Sequence, residues 1–151
     1  MNKTHSPSSR RIRGFTLIET MVAVAITGVL SSIAYPPLEG HVLRARRTDA
    51  LVTLMDAQLA QERYRADHAR YGNLAEAGIR ATSVAGHYIV QVVANDASGY
   101  DLVAIAAARQ ARDTGCRHLR ITSLGGELVY ASGVDATTAN AADANRKCWS
   151  R

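Results

Sequence analysis

Apolar and polar positions divide the chain into three regimes. Residues 1–14, MNKTHSPSSRRIRG, are polar and basic, and residues 15–35, FTLIETMVAVAITGVLSSIAY, are predominantly apolar. Beyond them, apolar positions recur at helical spacing to about residue 68 and then fall into short runs typical of strands. At about 1.5 Å per residue, the apolar stretch is roughly 31 Å long, close to one hydrocarbon thickness. The basic tip is expected to stay cytoplasmic, which puts the C-terminal part across the membrane. A secretory signal peptide is the rival reading, because the small residues Ser31, Ser32 and Ala34 follow the apolar run. The length of the run and Glu19 inside it argue against that reading. A charge at mid-membrane costs about 2.5–3.5 kcal/mol on translocon scales, less near an interface. Two readings of Glu19 stay open: a buried carboxylate with a partner, or one that snorkels to the interface.

After Tyr35 and Pro36-Pro37, the stretch LEGHVLRARRTDALVTLMDAQLAQERYRADHARYG reads as an amphipathic helix. Leu38, Val42, Ala45, Val52, Met55 and Leu59 share one face, and most charged residues fall elsewhere. Gly72 is the expected stop. The helix is predicted over residues 16–68, about 80 Å by rise per residue. Gly28, Pro36 and Pro37 make its weakest segment, since proline removes amide donors and clashes with the preceding turn. That segment reads either as a simple kink or as a stretch that opens in an assembly. The cluster Arg44, Arg46, Arg47 reads as a solvated helix face or as a source of inter-subunit salt bridges, with anionic lipid or DNA as the sharper alternative.

Residues 69–87 read as a connecting loop with short helical turns. Residues 87–93 and 100–106 read as strands about the turn cluster Asn95-Asp96-Ala97-Ser98-Gly99, and residues 119–122 and 127–130 as a second hairpin about Gly125-Gly126. The apolar stripe of the helix from about Leu51 onward is the expected cover for one face of this sheet. Residues 131–147 would wander without a tie. The architecture is therefore α+β: a long N-terminal helix on a four-stranded antiparallel sheet.

The net charge of +5 sits largely at the N-terminus, where Lys3, Arg10, Arg11 and Arg13 meet no acid. The remainder is close to balance, which weakens a general nucleic-acid reading of the charge. Cys116 and Cys148 lack CxxC spacing, so a redox motif or zinc ribbon is a poor reading. In an exported domain they read as one disulfide, which closes a loop and contributes roughly 3–4 kcal/mol in the chain-entropy model. Two free thiols are the alternative. Cys116-Arg117-His118 holds too few ligands for a metal site. No phosphate loop, HExxH or nucleophile elbow is present. The chain reads as a non-enzyme with no cofactor and no metal.

Arg13-Gly14-Phe15-Thr16-Leu17-Ile18-Glu19 resembles the processing signal of type IV prepilins and pseudopilins. The resemblance implies that a prepilin peptidase cuts between Gly14 and Phe15 and methylates the Phe15 amine. It implies that Glu19 is the assembly glutamate and that residues 28–37 are the stretch that loosens in assembled pilins. Cys116 and Cys148 then bound the C-terminal region, completing a type IV pilin fold. Arg46-Arg47, Gln61-Glu62-Arg63-Tyr64, Asp113-Thr114-Gly115-Cys116 and Cys148-Trp149 are similar to the PilE-type minor pilin group. The implied organisation is a cleaved leader (1–14), a transmembrane and assembly half-helix (15–35), an amphipathic half-helix (36–68) and a globular head (69–151). The implied partners are other pilin subunits, the prepilin peptidase, an inner-membrane assembly platform and the lipid bilayer before assembly. The implied location is the inner membrane, then an extracellular fibre. A minor pilin serving adhesion or twitching motility heads the readings. A major shaft pilin, a type II secretion pseudopilin and a DNA-receptor pilin are the alternatives. Arg109, Arg112, Arg117, Arg120, Arg146, Lys147 and Arg151 would supply phosphate contacts for the last, with Arg117 and Lys147 foremost. A solvated tip with crossed charges is the plainer reading of those cations.

Overall fold

Helix α1 spans Leu17–Asp67, close to the predicted bounds. The computed structural model describes residues 15–149, without the side chains of residues 34–37. The expectations for the leader and Gly14, for the Pro36 and Pro37 rings and for Arg151 therefore lie outside the described residues. The chain divides into two compact units, Met1–Pro37 and Leu38–Arg151.

In the first unit, every described residue from 15 to 33 is exposed. Thr16 and Glu19 form a capping box: the Glu19 amide donates to Thr16 Oγ1 at 3.3 Å, and the Thr16 amide reaches Glu19 Oε2 at 3.5 Å. The hydroxyls of Thr27, Ser31 and Ser32 donate back to the carbonyls of Ala23, Thr27 and Val29 at 2.7–2.8 Å. The polar side chains of the apolar stretch are thus satisfied within the helix, as a low-dielectric surrounding demands. By length and composition, no single helix among the described residues qualifies as a membrane span. The pieces Leu17–Ile33 and Leu38–Asp67 qualify only together. Gly28 is helical, and a side chain there would meet nothing within 4 Å.

In the second unit, strands β1 (Tyr88–Asn95), β2 (Gly99–Ala106), β3 (His118–Leu124) and β4 (Glu127–Gly133) form an antiparallel meander in the order β1-β2-β3-β4. Both predicted hairpins are present. Gly125 and Gly126 turn the second with φ of 58° and 88°, values that favour glycine. Gly99 lies where a Cβ would stand 1.9 Å from the Ser123 carbonyl oxygen. One sheet face meets α1 in a core of Ala50, Leu51, Leu54 and Ala57 with Tyr88, Tyr100, Leu102, Leu119 and Ile121.

Leu51 covers the sheet as expected, but the predicted stripe does not. Leu38, Val42, Ala45, Val52, Met55 and Leu59 are all exposed. The helix carries two apolar stripes. The one that meets the sheet is built on Ala50 and Ala57, whose small side chains let the helix approach closely, while the bulkier stripe is left to solvent. Periodicity locates a stripe without saying what covers it.

Residues 69–87 form a connecting loop with short turns, as where the Ala77 amide donates to the Asn73 carbonyl at 3.0 Å, and polar clasps hold it to the rest. Buried Gln61 donates to the Gly72 carbonyl at 2.7 Å and accepts from its amide at 2.9 Å. The Asp49 carboxylate takes hydrogen bonds from Ser83 Oγ and from the amides of Ala85 and His87. Burial raises the Asp49 pKa, but those bonds, with the nearby His87, outweigh it and leave the carboxyl below its ordinary value. Thr82 bridges to Ile89 along the outer edge of β1, and Ala139 bridges to Ser132 along the outer edge of β4.

Residues 131–147 do not wander. Helix α2 (Ala142–Trp149) lies against β4, where Asn145 Nδ2 donates to the Tyr130 carbonyl and the Trp149 indole donates to Ala131 O. The Trp149 ring meets Tyr130 edge-on at 5.1 Å between centroids.

Candidate functional site

Two regions carry the expected functional residues. In the N-terminal unit, Phe15 is 83% exposed and Glu19 lies on the surface beside it. Among the described residues, Glu19 has no cationic partner; its hydrogen bonds are the local ones with Thr16. The capping box therefore gives the carboxylate a role in the isolated chain that the sequence reading missed. The signal was available in the spacing Thr16-x-x-Glu19. A single uncompensated acid amid exposed Leu17, Ile18, Met21 and Val22 is suited to receive a cation from outside the chain.

The second region forms around the disulfide. Cys116 and Cys148 are joined, fully buried, with Cα atoms 5.6 Å apart. Cys116 ends a short 3₁₀ turn, Thr114–Cys116, which follows another at Ala108–Arg112; Cys148 lies near the end of α2. The bond joins Arg117 and Lys147 through their immediate neighbours. Lys147 Nζ lies over Gly115, 3.4 Å from where a Cβ would stand. Arg117 Nε donates to the Ala111 carbonyl at 2.7 Å. Both side chains are exposed and, like Arg109, have no acidic partner among the described residues.

The other cations of this region are crossed with acids. Arg112 pairs with Glu39 at 2.8 Å, Arg120 with Asp101 at 3.1 Å, and Arg146 with Asp143. His118, half-buried at the start of β3, is pushed below its ordinary pKa first by burial and further by Arg120 and Arg117. Asp135 opposes that shift.

Arg47 departs from expectation. The sequence reading set it with Arg44 and Arg46 on a solvated face, yet it is only 6% exposed. Its Nε and Nη2 grip Asp113 Oδ2 and Oδ1 at 2.6 and 2.8 Å, and Nη1 donates to the Lys147 carbonyl at 2.6 Å. Gln110 Nε2 joins them, reaching the Leu43 carbonyl, the Tyr88 hydroxyl and Asp113 Oδ2 at 3.0, 3.0 and 3.3 Å. Burial pushes the Tyr88 phenol up to about 12. The clue lay in helical spacing, since Arg47 stands three and seven positions before Ala50 and Leu54, on the buried arc.

No group of three or more His, Cys, Asp or Glu side chains could hold a metal ion among the described residues. A cleft of about 390 Å³ runs between α1 and the following loop, lined by Thr53, Asp56, Ala57, Arg63, Ile79 and Arg80.

Two family models match the chain. One, described as type IV minor pilin ComP, DNA uptake sequence receptor, matches residues 36–120. The other, the prokaryotic N-terminal methylation motif, matches residues 9–35. The type II secretion system core protein G of Pectobacterium carotovorum subsp. carotovorum is 37% identical over 78 residues, 52% of this chain and 49% of that protein. The fimbrial protein of Neisseria meningitidis serogroup B is 33% identical over 82 residues, 53% of this chain and 48% of that protein. The type IV major pilin protein PilE1 of Neisseria gonorrhoeae is 30% identical over 83 residues, 53% and 50% of the two chains. The chain spans about half the length of the relatives it matches.

Proposed function

Because the chain belongs to the type IV minor pilin ComP family, we propose that it is a minor subunit of a type IV pilus, inserted in the inner membrane as a precursor and then assembled into an extracellular fibre. The observation that carries this reading is the bare apolar surface of residues 15–33, broken by one acid. In isolation such a surface is unfavourable in water. It is suited first to lipid and then to the stems of neighbouring subunits.

The steps follow from the residues. A prepilin peptidase removes residues 1–14 by cutting between Gly14 and Phe15 and methylates the new amine. That amine, positive and close to lipid, attracts the Glu19 carboxylate of the next subunit. Each charge is costly alone in a low dielectric, so the pair sets the axial register. The stem faces supply the cohesion, and in the second unit the exposed stripe Val42, Val52, Met55 and Leu59 offers a further apolar contact surface. Residues 28–37 open or bend as the subunit leaves the bilayer, Gly28 and the proline pair being the weak points. An assembly platform in the inner membrane drives the transfer. The disulfide-closed tip favours a pilus subunit over a secretion pseudopilin.

Mass spectrometry of the mature protein tests this directly: it should begin with N-methylated phenylalanine at Phe15. A mature chain beginning beyond residue 30 would remove the reading. A shaft role predicts that the chain dominates sheared fibres, whereas a minor role predicts a small fraction of them.

A DNA-contacting role is the second reading. It is favoured by the family description and by Arg109, Arg117 and Lys147 carrying charge without acidic partners around the disulfide. Duplex DNA should bind at low salt and release steeply as salt rises. Charge reversal at Arg117 and Lys147 should abolish the binding.

A further inference from the structure

We propose that Arg47 is a positioning residue for the basic pair Arg117 and Lys147, a non-covalent clamp that runs parallel to the disulfide and orients what the disulfide only tethers. The proposal deepens the DNA-contacting reading above and rests on it.

The geometry carries the argument. The Cys116–Cys148 bond ties two backbone segments at one point and by itself leaves rotation about that tie, which Asn145 and Trp149 restrain only from the β4 side. Arg47 approaches from α1 and holds both segments. Its fork grips Asp113, three residues before Cys116, through two bonds, and its remaining arm takes the Lys147 carbonyl, one residue before Cys148. The two side chains of the ion pair are 7% and 8% exposed, so solvent hardly competes for them. Gln110 donates to the same carboxylate oxygen that Arg47 Nε holds.

A buried ion pair can often be replaced by apolar side chains of similar size without loss of stability. Stability alone is therefore a poor reason for an arginine here. What apolar side chains cannot do is fix the rotation of the α2 backbone at Lys147 relative to the 3₁₀ turns that lead to Arg117. Lysine cannot do it either, since an ammonium offers a point charge where guanidinium offers a planar fork. The clamp sets where the Lys147 ammonium emerges over Gly115, two residues before the exposed Arg117.

The test uses the full chain in detergent with mixed-sequence duplex DNA as the probe. The logarithm of affinity is plotted against the logarithm of salt concentration. Lys147→Gln should lower the slope by about 0.9, the signature of one lost phosphate contact. The paired variant Arg47→Met with Asp113→Asn leaves no buried charge behind. It should lower the slope equally although Lys147 is retained, and adding Lys147→Gln to it should lower it no further. Arg47→Lys should keep the thermal midpoint near that of the wild type yet show the lowered slope. A loss of folded protein would reduce the active fraction and leave the slope unchanged. A wild-type slope in the paired variant, or losses that add in the triple variant, would overturn the clamp. If the wild-type chain binds no DNA even at low salt, the DNA reading falls by itself. The clamp is then decided by hydrogen exchange of residues 142–149. Exchange should quicken tenfold or more in the paired variant with the disulfide intact; unchanged exchange sinks the proposal.

Discussion

Single side chains decide more than their exposure suggests. Arg47→Ala leaves Asp113 charged and buried, and breaking such a pair costs about 3–5 kcal/mol. The paired Arg47→Met, Asp113→Asn change should cost clearly less in denaturant unfolding, because no unpartnered charge remains. At Gly99 an added methyl collides with the Ser123 carbonyl, a backbone atom that cannot swing away. Gly99→Ala should cost about 2–4 kcal/mol, whereas Gly28→Ala, which meets nothing, should leave the head untouched.

The acid limb has two sources with the same sign. Burial holds the folded His118 pKa below the ordinary value of about 6.5, so the unfolded chain takes a proton first. Stability should begin to fall as pH drops below about 6.5, and this step should vanish in His118→Gln. Asp49, held by its hydrogen bonds below the ordinary carboxylate value of about 3.9, adds stability that is complete above that value and lost as pH falls through the folded one. Asp49→Asn should flatten only that lower step, as read from unfolding midpoints across pH.

At the scale of elements, the two stripes of α1 separate stability from assembly. Val52→Asp and Met55→Asp on the bare stripe should change head stability by less than about 0.5 kcal/mol while lowering incorporation into fibres. Leu54→Ala on the covered stripe should cost about 2–5 kcal/mol. The sequence disclosed much at this scale. The helix bounds, both hairpins and the cysteine pairing follow from local rules: periodicity, glycine turns, and two thiols behind an N-terminus that reads as an export signal. The assignment of the stripes to sheet or solvent did not follow, since it depends on long-range fit, with Ala50 and Ala57 permitting close approach. Helix α2 was hidden for a similar reason. Its sequence is polar, and what holds it is Asn145 and Trp149 meeting carbonyls of β4. At the tip, Cys116, Cys148, Arg117 and Lys147 were legible by residue type. The Arg47–Asp113 tie joins positions 66 apart in the chain, a separation no local pattern reports.

For the molecule as a whole, the disulfide, the Arg47 clamp and the α2 contacts hold one C-terminal region from three sides. Cys116→Ser with Cys148→Ser should therefore lower stability by about 3–4 kcal/mol without abolishing the fold, as measured by denaturant midpoint and by near-ultraviolet signal from Trp149. A subunit that polymerises as proposed must also wait unpolymerised, crowded against its own kind. The short bridges by Thr82 and Ala139 bear on that interval. They occupy part of the two ladders through which neighbouring heads would otherwise add strand to strand. On the proposed reading, growth is then left to the stems, and subunits held at high density are kept from joining edge to edge.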